Sequence, residues 1–97
     1  VNSKQISYLR SLAHNLNPVV MISNKGLSEA VLKEINLNLD AHELIKIKVS
    51  GDDRDLRAQL LLDICSQTNS TAVHHIGKQL VVYRKSASKP KIVIPVK

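Results

Sequence analysis

Ala41-His42-Glu43-Leu44-Ile45-Lys46-Ile47-Lys48-Val49 contains the change of period on which the fold turns. Upstream of it, Leu27, Val31, Leu32, Ile35 and Leu39 recur at the spacing of one helical face, which predicts a helix from about Ser28 to Ala41. From Leu44 the pattern becomes strict alternation, with Leu44, Lys46 and Lys48 on one side and Ile45, Ile47 and Val49 on the other. A helix therefore hands the chain directly to a strand with a basic face.

Working outward toward the N-terminus, Val19-Val20-Met21-Ile22 reads as a short buried strand with Met21 in the core, set off by Asn17-Pro18. Before it, Ile6, Leu9, Ala13 and Leu16 share a helical stripe, and Asn2 with Gln5 has capping-box spacing, so a helix is expected from about Ser3 to Leu16. In the other direction, Gly51-Asp52-Asp53 forms a turn whose acids cap a helix with the stripe Leu56, Leu60, Leu61, Ile64 and Cys65, ending near Thr68. Thr71 to Ile76 and Gln79 to Arg84 are strands joined at Gly77-Lys78, a two-residue hairpin with Gly first. Simple alternation puts Val73 and His75 on the face of Leu80 and Val82, and Ala72, His74 and Ile76 on that of Val81 and Tyr83.

The order α-β-α-β-α-β-β predicts a single α/β domain over residues 1–85, with a four-stranded mixed sheet and helices packed on it. Three strands running the same way would bring the loops at Ser23 to Gly26, Ser50 to Arg54 and Gly77-Lys78 to one edge. Two helix N-termini open there and favour an anion, while Asp52, Asp53 and Asp55 oppose a uniformly positive patch. Residues 86–97 read as a basic tail in which Ile92-Val93-Ile94 adds a strand or arm; if it is an arm rather than a core strand, removal of the tail is expected to leave the fold intact.

With 97 residues and 43% hydrophobic content the chain has one core. Its formal charge of +6 suits a polyanion, nucleic acid before an anionic membrane. Residues 1–28 hold three bases and no acid, residues 78–97 hold six bases and no acid, and all eight acids lie between. The contact face is therefore sought where the two ends meet. No run approaches about eighteen apolar residues and the first residues lack a secretion-type stretch, so a cytoplasmic protein without membrane contact is expected. Cys65 stands alone and reads as a small buried residue. His74 and His75 point to opposite strand faces, and His14 and His42 lack partners at ligand spacing. Packing or edge roles are expected for them, with no metal, no cofactor, no small-molecule substrate and no catalysis. Tyr8 and Tyr83 are the two aromatics, which disfavours base stacking and leaves backbone and shape readout of folded RNA.

Val19 to Leu27, entering a G-x-x-G-L-like loop, Ala41 to Val49, and Ile76-Gly77 followed by Tyr83-Arg84 together resemble the CRM domain, the chloroplast RNA splicing and ribosome maturation module, in its free-standing bacterial YhbY-like form. The resemblance spans nearly the whole chain. It implies a fold akin to the C-terminal domain of translation initiation factor three, RNA binding without catalysis, and association with precursors of the large ribosomal subunit. The loop departs from the family in carrying Ser23 at its usual first Gly; a positive φ there would cost Ser about 1 kcal/mol.

The RNA-contact candidates are Ser23, Asn24, Lys25 and Gly26 in the loop, with Lys4, Arg10, Lys46, Lys48, Arg54, Arg57, Lys78, Arg84 and Lys85 around them. Each base has a plainer reading beside this one. Lys46 and Lys48 could snorkel over an apolar face, and Arg54 and Arg57 could pair with Asp53 and the first helical turn. Lys4, Arg10 and Lys78 could sit on solvated surface, and Gly26 could serve the turn alone. The alternative from another class is a protein-interaction adaptor whose basic tail docks an acidic partner.

Overall fold

A computed structural model of the chain describes residues 2–23, 26–87 and 90–94. The elements are α1 (Ser3–Ala13), β1 (Val20–Ile22), α2 (Glu29–His42), β2 (Leu44–Val49), α3 (Arg54–Thr68), β3 (Thr71–Ile76) and β4 (Gln79–Tyr83). Local chemistry accounts for most of these bounds. Asn2 Oδ1 accepts from Gln5 N and Gln5 Oε1 from Asn2 N, both at 2.9 Å, so the capping box opens α1. Ser28 caps α2 through Val31 N, and Asp53 caps α3 through Leu56 N at 3.1 Å. The helix over α1 stops before Leu16 because the chain must turn to the sheet: Leu16 N bonds Ala13 O, and Val19 N already donates to Lys46 O at 3.0 Å.

The sheet order is β1-β2-β4-β3. β1 pairs parallel with β2, whereas β4 lies antiparallel between β2 and β3. β1, β2 and β3 thus run the same way, and their C-terminal ends share one edge.

Each face of the sheet has its own core. On one, α2 and α3 cover Val20, Ile22, Ile45, Ile47, Val49, Leu80 and Val82, with Ile35, Leu39, Leu61 and Ile64 supplied by the helices. On the other, Leu9 and Ala13 of α1 pack on Leu44, Val73, Val81 and Tyr83, with Ile92 and Ile94 against them. Fully burying a side chain such as Ile47 or Leu9 contributes about 1.5–3 kcal/mol, so the single turn of α1 that carries Leu9 and Ala13 suffices to anchor that helix.

Three expectations about faces are corrected. Met21 is 69% exposed, because β1 is an edge strand that buries only Val20 and Ile22. Leu56 is exposed, and Arg57 occupies the buried position one residue later on α3. Val73 lies on the α1 face with Val81, not with Leu80 and Val82, and Ala72 lies on the face of Val82, not on that of Val81 and Tyr83. The cause is a bulge: His74 pairs with Val81 and Ala72 with Val82, so Val73 is the extra residue.

The C-terminal segment is held to the domain. Ser86 is buried, and Glu43 Oε2 accepts from its N–H at 2.7 Å, while Glu43 Oε1 accepts from Lys91 N and Ile92 N. Residues 90–94 adopt no strand, so their apolar side chains dock as an arm.

Candidate nucleic-acid interface

The loops gather as their strand directions require. Ser50 N donates to Ile22 O at 2.9 Å, Val49 N to Lys78 O at 2.7 Å, and Lys78 Nζ meets Asp52 Oδ1 at 2.9 Å. Ser23, Gly26, Ser50, Gly51 and Arg57 line a cavity of about 240 Å3 there, with Asp52 and Asp53. Gly26 takes φ +83°, and a Cβ added to it would meet nothing within 4 Å, so the backbone angle rather than crowding calls for glycine. Ser23 bears no such strain: among the described residues the non-glycine positions with positive φ are Glu43 and Asn69. Asn24 and Lys25 lie outside the described residues.

This edge is electrostatically mixed. The hydrogen bond and charge of Lys78 hold the Asp52 carboxyl below its ordinary range, so Lys78 already has an exposed counter-ion.

Two of the arginines are committed to the fold. Arg57 is 8% exposed; its Nη1 donates to Gly51 O at 2.9 Å and its Nε to His75 Nε2 at 3.4 Å, which fixes the β2–α3 loop from beneath. Arg84 donates from Nη1 to Asn36 Oδ1 and Thr68 O, both at 2.7 Å, and from Nη2 to Asn36 O and Asp40 Oδ1. It ties α2 to α3 rather than presenting its charge outward. Arg54 is exposed at the start of α3, and Lys85 is exposed beside Glu43.

The remaining bases converge on the α1 side of the sheet. Lys46 is buried beneath α1, Lys48 is exposed two residues on, and Arg10 and Lys4 are exposed on α1. Arg10 Nε donates to Val73 O at 2.8 Å, a carbonyl at the bulge. Arg10, Ser11, His14, Lys46, His74 and Ile76 line a cleft of about 310 Å3 between α1 and the sheet. Because α1 covers only part of this face, Met21, Lys48 and Ile76 stay open toward the loop edge. The register sets Met21 beside Lys48 and Lys48 beside Gln79, so the surface continues to Ser23 and Lys78.

Sequence reasoning did not place Ser11, His14 or His74 in this site. Strand alternation alone did align His74 with Val81, as the structure does, but which helix covers that face is a tertiary fact. Among the described residues, no group of three His, Cys, Asp or Glu side chains gathers to hold a metal ion.

The CRS1 / YhbY (CRM) domain model matches residues 1–84. The chain belongs to the CRM family. Among the relatives of this CRM protein, one from Haemophilus influenzae, named RNA-binding protein, is 45% identical over 95 residues, covering 98% of this chain and 95% of that one. A protein of Bacillus subtilis named a probable RNA-binding protein is 30% identical over 95 residues, covering 98% and 99%. The solution structure of a hypothetical protein from Staphylococcus aureus superposes on this CRM domain with a TM-score of 0.87 at 37% identity, covering 98% of this chain and 99% of that chain.

Proposed function

We propose that this CRM protein binds structured RNA through the α1 side of its sheet and the adjoining Ser23–Gly26 loop, without catalysis, and acts in the cytoplasm during assembly of the large ribosomal subunit. One observation carries the reading: charge is sorted by layer. α2 and α3 carry Glu29, Glu34, Asp40, Asp55 and Asp63, five of the eight acids, whereas α1 carries Lys4 and Arg10 with no acid. The basic layer is the one that leaves sheet face uncovered. A phosphate backbone is therefore attracted to the side where Arg10, Lys46, Lys48 and the glycine loop lie together.

The aromatic inventory supports backbone contact over base stacking, since Tyr83 is buried and Tyr8 is half-buried on α1. The names of the relatives support RNA as the polyanion. The ribosomal target rests on the family resemblance drawn from the sequence.

Sedimentation of cell extracts tests the reading. The protein should travel with large-subunit precursors and leave them after ribonuclease treatment, and crosslinking followed by RNA sequencing should recover large-subunit RNA. A different specific observation favours a protein partner, through apolar surface rather than the basic tail: Leu12, Leu16 and Val19 are exposed in a groove of about 490 Å3 beside Ile92. Sedimentation that survives ribonuclease would support that reading instead.

A further inference from the structure

Lys46 is 7% exposed over the whole residue, and its ammonium, which meets no acid or hydrogen-bond acceptor among the described residues, is not sealed from solvent. It opens into the cleft between α1 and the sheet, whose described walls hold Arg10, His14 and His74 and no Asp or Glu. The stem is buried and the charged end stays in water, where its neighbours are themselves basic. Arg10 is oriented by its Nε bond to Val73 O, which leaves Nη1 and Nη2 without a partner among the described residues. A planar guanidinium, an ammonium on a buried stem and an imidazole around one acid-free cleft form the charge complement of a phosphodiester.

We propose that this cleft is a phosphate subsite for the RNA backbone, in which Lys46 and Arg10 supply fixed charge and His74 takes up a proton as the phosphate enters. The proposal rests on the RNA-binding reading above and specifies one contact and its pH dependence.

His74 faces Arg10 and His14 from α1, Lys46 from β2, and Val81 with Gln79 and the neutral phenol of Tyr83 from β4. Its neighbour His75 turns to Arg57 of α3. Burial, followed by the charges of Arg10, His75 and Lys46, holds the His74 imidazole below its ordinary value of 6.5, so it is neutral at pH 7. A bound phosphate offsets those cations and favours the imidazolium. Binding then takes up a proton and strengthens as pH falls from about 8 to about 5.5.

The experiment uses the full chain and a fluorescently labelled stem–loop RNA at constant salt, with histidine titrations followed by NMR in free and bound protein. Wild-type affinity should rise on the order of tenfold across that window, equivalent to about one unit in the His74 midpoint. H74Q should flatten the pH dependence. K46M should weaken binding on the order of tenfold at both ends while its melting temperature stays level, because the buried part of Lys46 is its apolar stem, which Met replaces. In the complex the His74 midpoint should move up. If wild type binds but K46M binds equally well, or the His74 midpoint is unmoved in the complex, the subsite is overturned and the RNA-binding reading stands. Absence of RNA binding by wild type at every pH overturns both.

Discussion

Glu43 ends α2, precedes β2 and holds the C-terminal segment, all through one buried residue. Its φ of +67° costs a non-glycine residue about 1–2 kcal/mol, and its carboxylate, bonded to the N–H groups of Ser86, Lys91 and Ile92, offsets that strain. Burial by itself would raise its pKa; the three N–H donors together with Lys85 outweigh burial and hold it below the ordinary 4.5. A carboxyl depressed in the folded state contributes stability that is fully present above 4.5 and is lost as pH falls through the folded value. Thermal unfolding from pH about 7 to about 3 should therefore show an acid loss that is shallower in Glu43→Gln, with the variant about 1–3 kcal/mol less stable at neutral pH. Arg84 gives a matching test. Arg84→Ala should cost about 2–4 kcal/mol in denaturant unfolding, since Asn36, Thr68 and Asp40 lose their donor, and the variant that remains folded should bind RNA as wild type does.

Among the elements, the ones with strong local signals were legible and the ones bent by their neighbours were not. The bounds of β2 follow from its alternation, and the hairpin with Gly77 at φ +54° follows from its two-residue turn, as Ile76 pairs with Gln79. The bulge in β3 left no mark in the alternation, so Val73 was assigned to the wrong face: the period of two holds only while both strands advance together. The same limit applies to Met21, whose composition suits a core but whose strand lies at an edge. For the loop before α2, Gly26→Val should lower stability by about 1–2 kcal/mol through its backbone angle alone, since no atom crowds its Cβ. Lys25→Glu should weaken RNA binding while circular dichroism and melting stay as in wild type. Together the two variants separate the loop's conformation from its charge.

For the whole molecule, charge sorted between layers predicts a salt response. With about four to six phosphates contacted, log K against log salt should fall with a slope of roughly −3 to −5 in fluorescence titrations, and Lys48→Gln should reduce that slope by about one. The docked arm changes what truncation is expected to do. Removing residues 86–97 strips Glu43 of the N–H groups of Ser86, Lys91 and Ile92, and takes Ile92 and Ile94 from the α1-side core. Stability should drop by about 2–4 kcal/mol in urea unfolding, in contrast to the unaffected fold that a free tail would predict. Lost tail charges should also flatten the salt slope.

The sequence by itself determined the element order, the caps at Asn2 and Asp53, the hairpin, and the segregation of bases toward the chain ends. Those signals act over a few residues or are sums over composition, so no knowledge of packing is needed to read them. Only the tertiary structure decided which bases are available. Arg57 and Arg84 carry the same charge in the sequence as Arg10, yet partners at Gly51, His75, Asn36 and Thr68, all but Gly51 distant in sequence, spend theirs within the fold. Lys46 and His74 share a cleft because α1 lies across β2 and β3, at sequence separations that neither helical nor strand period can register.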